Sequence, residues 1–160
     1  MKMRAKLVSR LTRFLLVSVA VLAGAKLATA ADVAVVTLKN SRVAAIDSSD
    51  LAKIIEITHK WSDGRDLLVV LTDPSSPEMR VVAKKLLLLT TAEFRRLIEA
   101  ANKGRLIFVV VSNDDEALKL LQSNPSAIAL VDVYSINSSV DVWKIDGRLP
   151  LEPAYILHSR

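Results

Sequence analysis

The chain has no cysteine. That excludes disulfides, thiolate catalysis and cysteine-based zinc sites together. Glycine is scarce, with 4 residues in 160, too few for the glycine-rich loops that cradle nucleotides. The 2 histidines, His59 and His158, stand far apart in sequence. A metal site built on them would need carboxylates brought in by the fold, and isolated polar histidines on loops are ordinary. No serine occupies a nucleophile elbow, and no nucleophile–base set is recognisable. The sequence therefore predicts a protein that is not an enzyme and holds no cofactor and no metal.

A shortage of acid is confined to one end. Residues 1–30 carry Lys2, Arg4, Lys6, Arg10, Arg13 and Lys26 and no carboxylate. Removing those six from the 22 basic residues leaves 16 against 17 acidic ones, so the formal charge of +5 belongs to the first thirty residues. The remainder is near neutral and carries no electrostatic footprint for nucleic acid. The basic stretch runs into an apolar core, "FLLVSVAVLAGA", from Phe14 to Ala25. "ATA" (Ala28, Thr29, Ala30) then offers the small residues that a signal peptidase reads. The core is shorter than the roughly 20 residues of a permanent membrane helix. The expectation is a signal peptide over 1–30 and a single domain over 31–160, periplasmic or secreted, that meets the membrane only through the signal segment before cleavage.

The rest alternates strand and helix signals. "DVAVVTLKN" reads as a first strand. Ser48 or Ser49 is the expected cap of a helix in which Leu51, Ile54 and Ile55 share a face. "THKWSDGRD" is a polar loop, where Trp61 is expected to pack its ring on the domain edge with its N–H in water. "LLVVL" (Leu67–Leu71) is apolar on both faces, as in a buried parallel strand. A helix follows from Pro77, with Met79, Val82, Ala83, Leu86 and Leu87 at helical spacing. Thr90 and Glu93 fit a capping box for the next, and Asn113 with Glu116 repeats the pattern. Arg105–Val111 suits a strand or an extended connection, and "AIALVDV" a buried strand. In the last section Val140 and Val142 lie on one side, Trp143 and Ile145 on the other, before an Asp146-Gly147 turn. This order predicts an α/β class with a mixed, mostly parallel sheet flanked by helices.

The nonapeptide "TDPSSPEMR" (Thr72–Arg80) carries the chemistry. Pro77 suits the first helical position and Ser76 its cap, leaving N–H groups at Glu78, Met79 and Arg80. A helix start with two hydroxyls beside it can hold phosphate or sulfate, and an anion there would offset the unfavourable placement of Arg80 in a first turn. The same residues also make a complete structural turn, with Ser76 as cap, Glu78 complementing the dipole and Asp73 paired with Arg80. Asp114, Asp115 and Glu116 read as dipole complementation at another helix start.

Taken in order, "LAKII", "KWSDGR", "SSPEMR", "LQSNPSAIALVDV" and "WKIDGRLPLEPAYIL" resemble the phosphate-binding periplasmic substrate-binding proteins of ABC transporters, in a compact form. The resemblance covers about Val33 to Leu157. It implies a type II periplasmic-binding-protein-like domain that binds phosphate or a similar oxyanion at a helix N-terminus. Ser76 and Arg80 would be the residues that match the family pattern, with Ser75 and Asp73 beside them. It implies an ABC permease, or another envelope protein, as partner. Where the family has Gly-Ala-Ile-Gly-Tyr this chain has Ser126, Ala127, Ile128, Ala129 and Leu130, so it departs at Ser126, Ala129 and Leu130, and also at Pro77, where strong binders have glycine. Those departures motivate the alternative of an envelope protein-interaction module that has lost its ligand.

Overall fold

A computed structural model describes residues 31–40 and 45–159; the expected signal segment lies outside them. Two strands have to be buried on both faces, because their sequences offer no polar side. They are β1 (Val33–Leu38) and β5 (Ala127–Asp132). They pair with each other in antiparallel register, Val35 opposite Leu130 and Val36 opposite Ala129. Around this pair the sheet runs β4 (Phe108–Val110), β3 (Leu68–Leu71), β5, β1, β6 (Val140–Val142). β3 is parallel to both β4 and β5, whereas β1 runs against β5 and β6, so four of the five strands point one way. The sheet is mixed and mostly parallel in direction, as the strand pattern predicts.

Side-chain size decides which helices cover which face. Val33, Val35, Val69, Leu71, Ile128 and Leu130 share a large core with three helices. These are α1 (Ser48–Lys53), α2 (Pro77–Val81) and α3 (Thr91–Ala101). On the opposite face, Ala34, Val36, Val70, Ala127, Ala129 and Val131 meet α4 (Asp114–Ser123) through Ala117, Leu118 and Leu121. Three alanines interspersed with valines permit a single helix to approach that face closely. The first two helices widen at their ends into π-type turns, Ile54–Thr58 after α1 and Val82–Leu86 after α2. None of the described helices is long and apolar enough to cross a membrane.

Most caps follow the sequence. Thr90 and Glu93 form a reciprocal capping box, and the Asn113 side chain accepts the Glu116 N–H at 3.0 Å. The start of α1 differs. Asp47 is its cap residue and makes no side-chain cap bond; the Ser48 N–H instead donates to Oδ1 of Asp146 at 2.8 Å. The substitute comes from the Asp146-Gly147 turn, where both residues take positive φ (51° and 75°) as the turn signal requires. This turn follows β7 (Lys144–Ile145), which pairs in parallel with β2 (Ala45–Ile46).

The two tryptophans fasten the edge of the larger core. Their rings stand 5.5 Å apart at 57°. The Trp143 indole donates to the buried Thr37 hydroxyl at 3.1 Å. The Trp61 N–H is not left to water, as its loop position suggested, but donates to the Ser126 carbonyl at 2.8 Å. That bond ties the loop after α1 to the entry of β5. Replacing Trp143 by Ala is expected to cost about 3–5 kcal/mol in urea unfolding, the range for a large buried aromatic. Trp143→Phe is expected to cost less, about 1–3 kcal/mol, chiefly because Thr37 loses its indole donor.

Candidate anion-binding site

β3, β4 and β5 end on the same side of the sheet, and α2 and α4 begin there. Between them lies an open cleft of about 420 Å³. Each of these strands is followed or closed by a polar residue that faces the cleft: Thr72 after β3, Ser112 beyond β4 and Asp132 at the end of β5. The turn from β3 into α2 is built by side-chain bonds. Asp73 Oδ1 accepts both the N–H and the hydroxyl of Ser75, at 2.7 and 2.6 Å. The Ser76 N–H donates to the Asp73 carbonyl at 2.8 Å. Ser76 Oγ accepts the Met79 N–H at 3.2 Å and lies 3.3 Å from the Thr72 hydroxyl.

The four residues singled out from the sequence separate in space. Ser76 caps α2 and lines the cleft. Asp73 and Ser75 turn outward to α3, where Arg95 reaches them at 3.4 and 2.9 Å. There Asp73, Pro74, Arg95, Ile98, Glu99 and Val110 border a smaller hollow of about 280 Å³. Arg80 is exposed, does not line the cleft, and forms no ion pair with a described residue. The expected Asp73–Arg80 pair is therefore an Asp73–Arg95 pair. Arg95 stands one turn further into the next helix, at a spacing that a local reading does not reach.

The cleft lining is hydroxylic and acidic. Thr72, Ser76, Ser112 and Ser135 bring hydroxyls, and Glu78, Asp114, Asp115 and Asp132 bring carboxylates. No basic side chain is among them. Several of these groups already serve the backbone. Asp114 Oδ2 accepts the Asp132 N–H at 3.0 Å, Asp132 Oδ1 accepts the Tyr134 N–H at 2.8 Å, and Glu116 accepts the Ser112 N–H at 3.0 Å. Asp114 and Glu116 thus do more than complement the α4 dipole: they join the ends of β4 and β5 to it. The sequence signal for Thr72, Ser112 and Asp132 is that each follows or ends an apolar strand run.

Neither histidine approaches the cleft lining. His59 stands edge-on to Phe108 with centroids 6.1 Å apart, and burial holds its pKa below the usual value. His158 stands beside Asp32, just before β1 and next to the end of β5, but outside the cleft lining. Among the described residues no group of three His, Asp or Glu side chains is arranged to hold a metal ion.

No protein-family profile matches the chain, and no curated protein matches it. Solved structures do. An ABC-type phosphate transport receptor from Vibrio cholerae superposes with a TM-score of 0.63 at 16% identity, over 82% of this chain and 55% of the receptor. The PstS protein of Borrelia burgdorferi gives 0.60 at 15% identity, over 81% of this chain and 55% of its own. A phosphate-binding protein from Stenotrophomonas maltophilia gives 0.60 at 14% identity, over 76% and 40%. The chain has the α/β fold of these periplasmic binding proteins and spans about half their length.

The turn itself makes a pH-dependent contribution. Asp73 is held below the usual carboxylate pKa by the Ser75 hydroxyl first, then by the Ser75 amide, with Arg95 adding to both. A depressed carboxylate stabilises the fold above its unfolded pKa, and that contribution is lost as pH falls through the folded value. Unfolding curves from neutral pH to roughly pH 3 should therefore show a shallower acid-side loss of stability in Asp73→Asn than in the parent.

Proposed function

We propose that this protein is an exported, non-enzymatic solute-binding domain of the phosphate-receptor type, which seats phosphate or a similar small oxyanion at the amino end of α2. The observation that carries the reading is the position of the cleft. It lies at the carboxyl ends of three parallel strands, between the starts of two helices, where open α/β sheets hold their ligands. Solved structures of the same fold are described as phosphate receptors and phosphate-binding proteins. In this reading Ser76 supplies a hydroxyl and Glu78 an amide hydrogen, since the Met79 and Arg80 amides donate to the Ser76 hydroxyl oxygen and carbonyl. Ser75 and Asp73 shape the turn, and Arg80 on the outer flank attracts the anion. The basic and apolar N-terminal segment exports the domain and is cleaved after Ala30, and an ABC permease is the natural receiver of the ligand.

A second reading has its own support: an envelope protein-interaction module on the same fold that no longer binds the anion. A carboxylate about 6 Å from a bound anion costs about 3 kcal/mol at an effective dielectric of 20. One helix terminus returns only about 0.3–1 kcal/mol. The cleft holds four carboxylates, the Met79 amide is already taken by Ser76, and Pro77 has no N–H to give.

Calorimetry of the protein recovered from the envelope, with phosphate, sulfate and molybdate, separates the two. Oxyanion capture predicts saturable heat at millimolar ligand or below, weakened about tenfold by Ser76→Ala, the loss of roughly one hydrogen bond. It also predicts tighter binding in an Asp114→Asn, Asp115→Asn double variant. Silence with all three anions would leave the interaction module, which predicts a stoichiometric envelope partner whose capture is unchanged by Ser76→Ala and Arg80→Glu. The mass of the same material is expected to begin at Ala31.

A further inference from the structure

From Leu149 to Ser159 the chain has no helix or strand, yet it is fastened to the sheet. Tyr155 and Leu157 are buried in the larger core, and the Leu157 carbonyl accepts the Val33 N–H at 3.1 Å. Near the end, His158 stands between two acceptors. Its Nδ1 lies 2.9 Å from Oδ1 of Asp32, just before β1, and its Nε2 lies 3.0 Å from the Glu152 carbonyl. A neutral imidazole has one N–H and one lone pair. A carbonyl can only accept, so Nε2 has to donate. Nδ1 and the Asp32 carboxylate are then bonded only if a second proton lies between them. The Ser159 N–H also faces Oδ1, at 3.4 Å, a contact that an ionised carboxylate accepts.

We propose that Asp32 and His158 form a proton-dependent latch that holds the loop 149–154 against the body of the domain. The loop borders a hollow of about 420 Å³, distinct from the strand-end cleft, whose walls include Asp32, Tyr134, Leu151, Pro153, Tyr155 and His158. The loop is the part that yields. Leu151 and Ala154 sit at φ 73° and 63°, a region that residues with side chains avoid. When the ring loses a proton, the remaining N–H stays with the charged carboxylate, the stronger partner. A lone pair on Nε2 then faces the Glu152 carbonyl, and that contact opens.

The other described ionisable groups around the ring are engaged elsewhere. The Glu152 carboxylate is engaged by the Leu149 N–H, and Arg148 donates to the Pro153 carbonyl at 2.9 Å. The Tyr155 ring meets the imidazole edge-on at 5.8 Å, and burial pushes its hydroxyl pKa far up, so it stays neutral. Tyr134 forms the exposed wall, and the Asp132 carboxylate is turned to the Tyr134 N–H.

The test is nitrogen-15 NMR of the labelled protein recovered from the envelope. At about pH 5.5 His158 should show two ring N–H groups. As pH rises, Nε2 should lose its hydrogen. Amide exchange at 151, 152, 154 and 155, corrected for its intrinsic pH dependence, should then rise about tenfold or more, with the Val33 amide unchanged. His158→Gln should exchange fast in the loop at every pH, and His59→Gln should behave as the parent. A single ring N–H at about pH 5.5, or corrected loop exchange that stays flat up to about pH 8, overturns the latch. Should His158→Gln fail to fold, the parent titration decides alone.

Discussion

The antiparallel ladder between β1 and β5 is the constraint from which the rest follows. Both strands are buried on both faces, so neither can stand at an edge or face water. Burial of an apolar strand pair demands cover above and below, and side-chain volume assigns it. The valine, isoleucine and leucine side meets three helices, while the side of alternating alanine and valine accepts α4 alone. Because β3 and β4 extend β5 in parallel, α2 and α4 must start where these strands finish. The cleft is thus a geometric consequence of the packing, whatever it binds.

What the packing leaves open is the polar chemistry at the strand ends. There the first demand is backbone satisfaction, since a helix start and a strand end each present amides and carbonyls without regular partners. Much of the side-chain chemistry in and beside the cleft meets that demand: Ser76 serves Met79, Asn113 serves Glu116, Asp114 serves Asp132 and Glu116, behind the lining, serves Ser112. A ligand has to compete for what remains, which is mainly hydroxyl and carboxylate. That competition sets the balance between the two proposed functions.

Local signals in the sequence were enough for elements whose causes are local. The Thr90–Glu93 box, the Asn113 cap, the Asp146-Gly147 turn and the two-sided apolar runs of β1, β3 and β5 all lie within a few residues of their effects. The misses involve partners far apart in the chain. Ser48 is capped by Asp146, Trp61 finds Ser126, and Asp73 finds Arg95 rather than Arg80. Only the fold brings such groups together, and it cannot be inferred from spacing along one segment. The site was legible to the same extent. Ser76 follows from cap chemistry, while Thr72, Ser112 and Asp132 needed the knowledge that three strand ends converge.

The departures from glycine in the "NPSAIAL" segment can now be weighed physically. Of the two residues that replace glycine, Ser126 accepts the Trp61 N–H through its carbonyl and Ala129 points to the α4 face, among Ala34, Ala117 and Leu121. There a methyl group fills space between sheet and helix, contributing about 0.8 kcal/mol per buried carbon. Neither residue is in the cleft lining, so Ala129 argues for tighter packing of α4 and the pair says nothing against a ligand. Pro77 and the four cleft carboxylates are the features that touch ligand chemistry, because they remove a donor and add negative charge at the proposed seat. Fold and ligand affinity therefore rest on separate sets of residues. The apolar set can hold the α/β fold while substitutions among the polar set change the chemistry of the cleft.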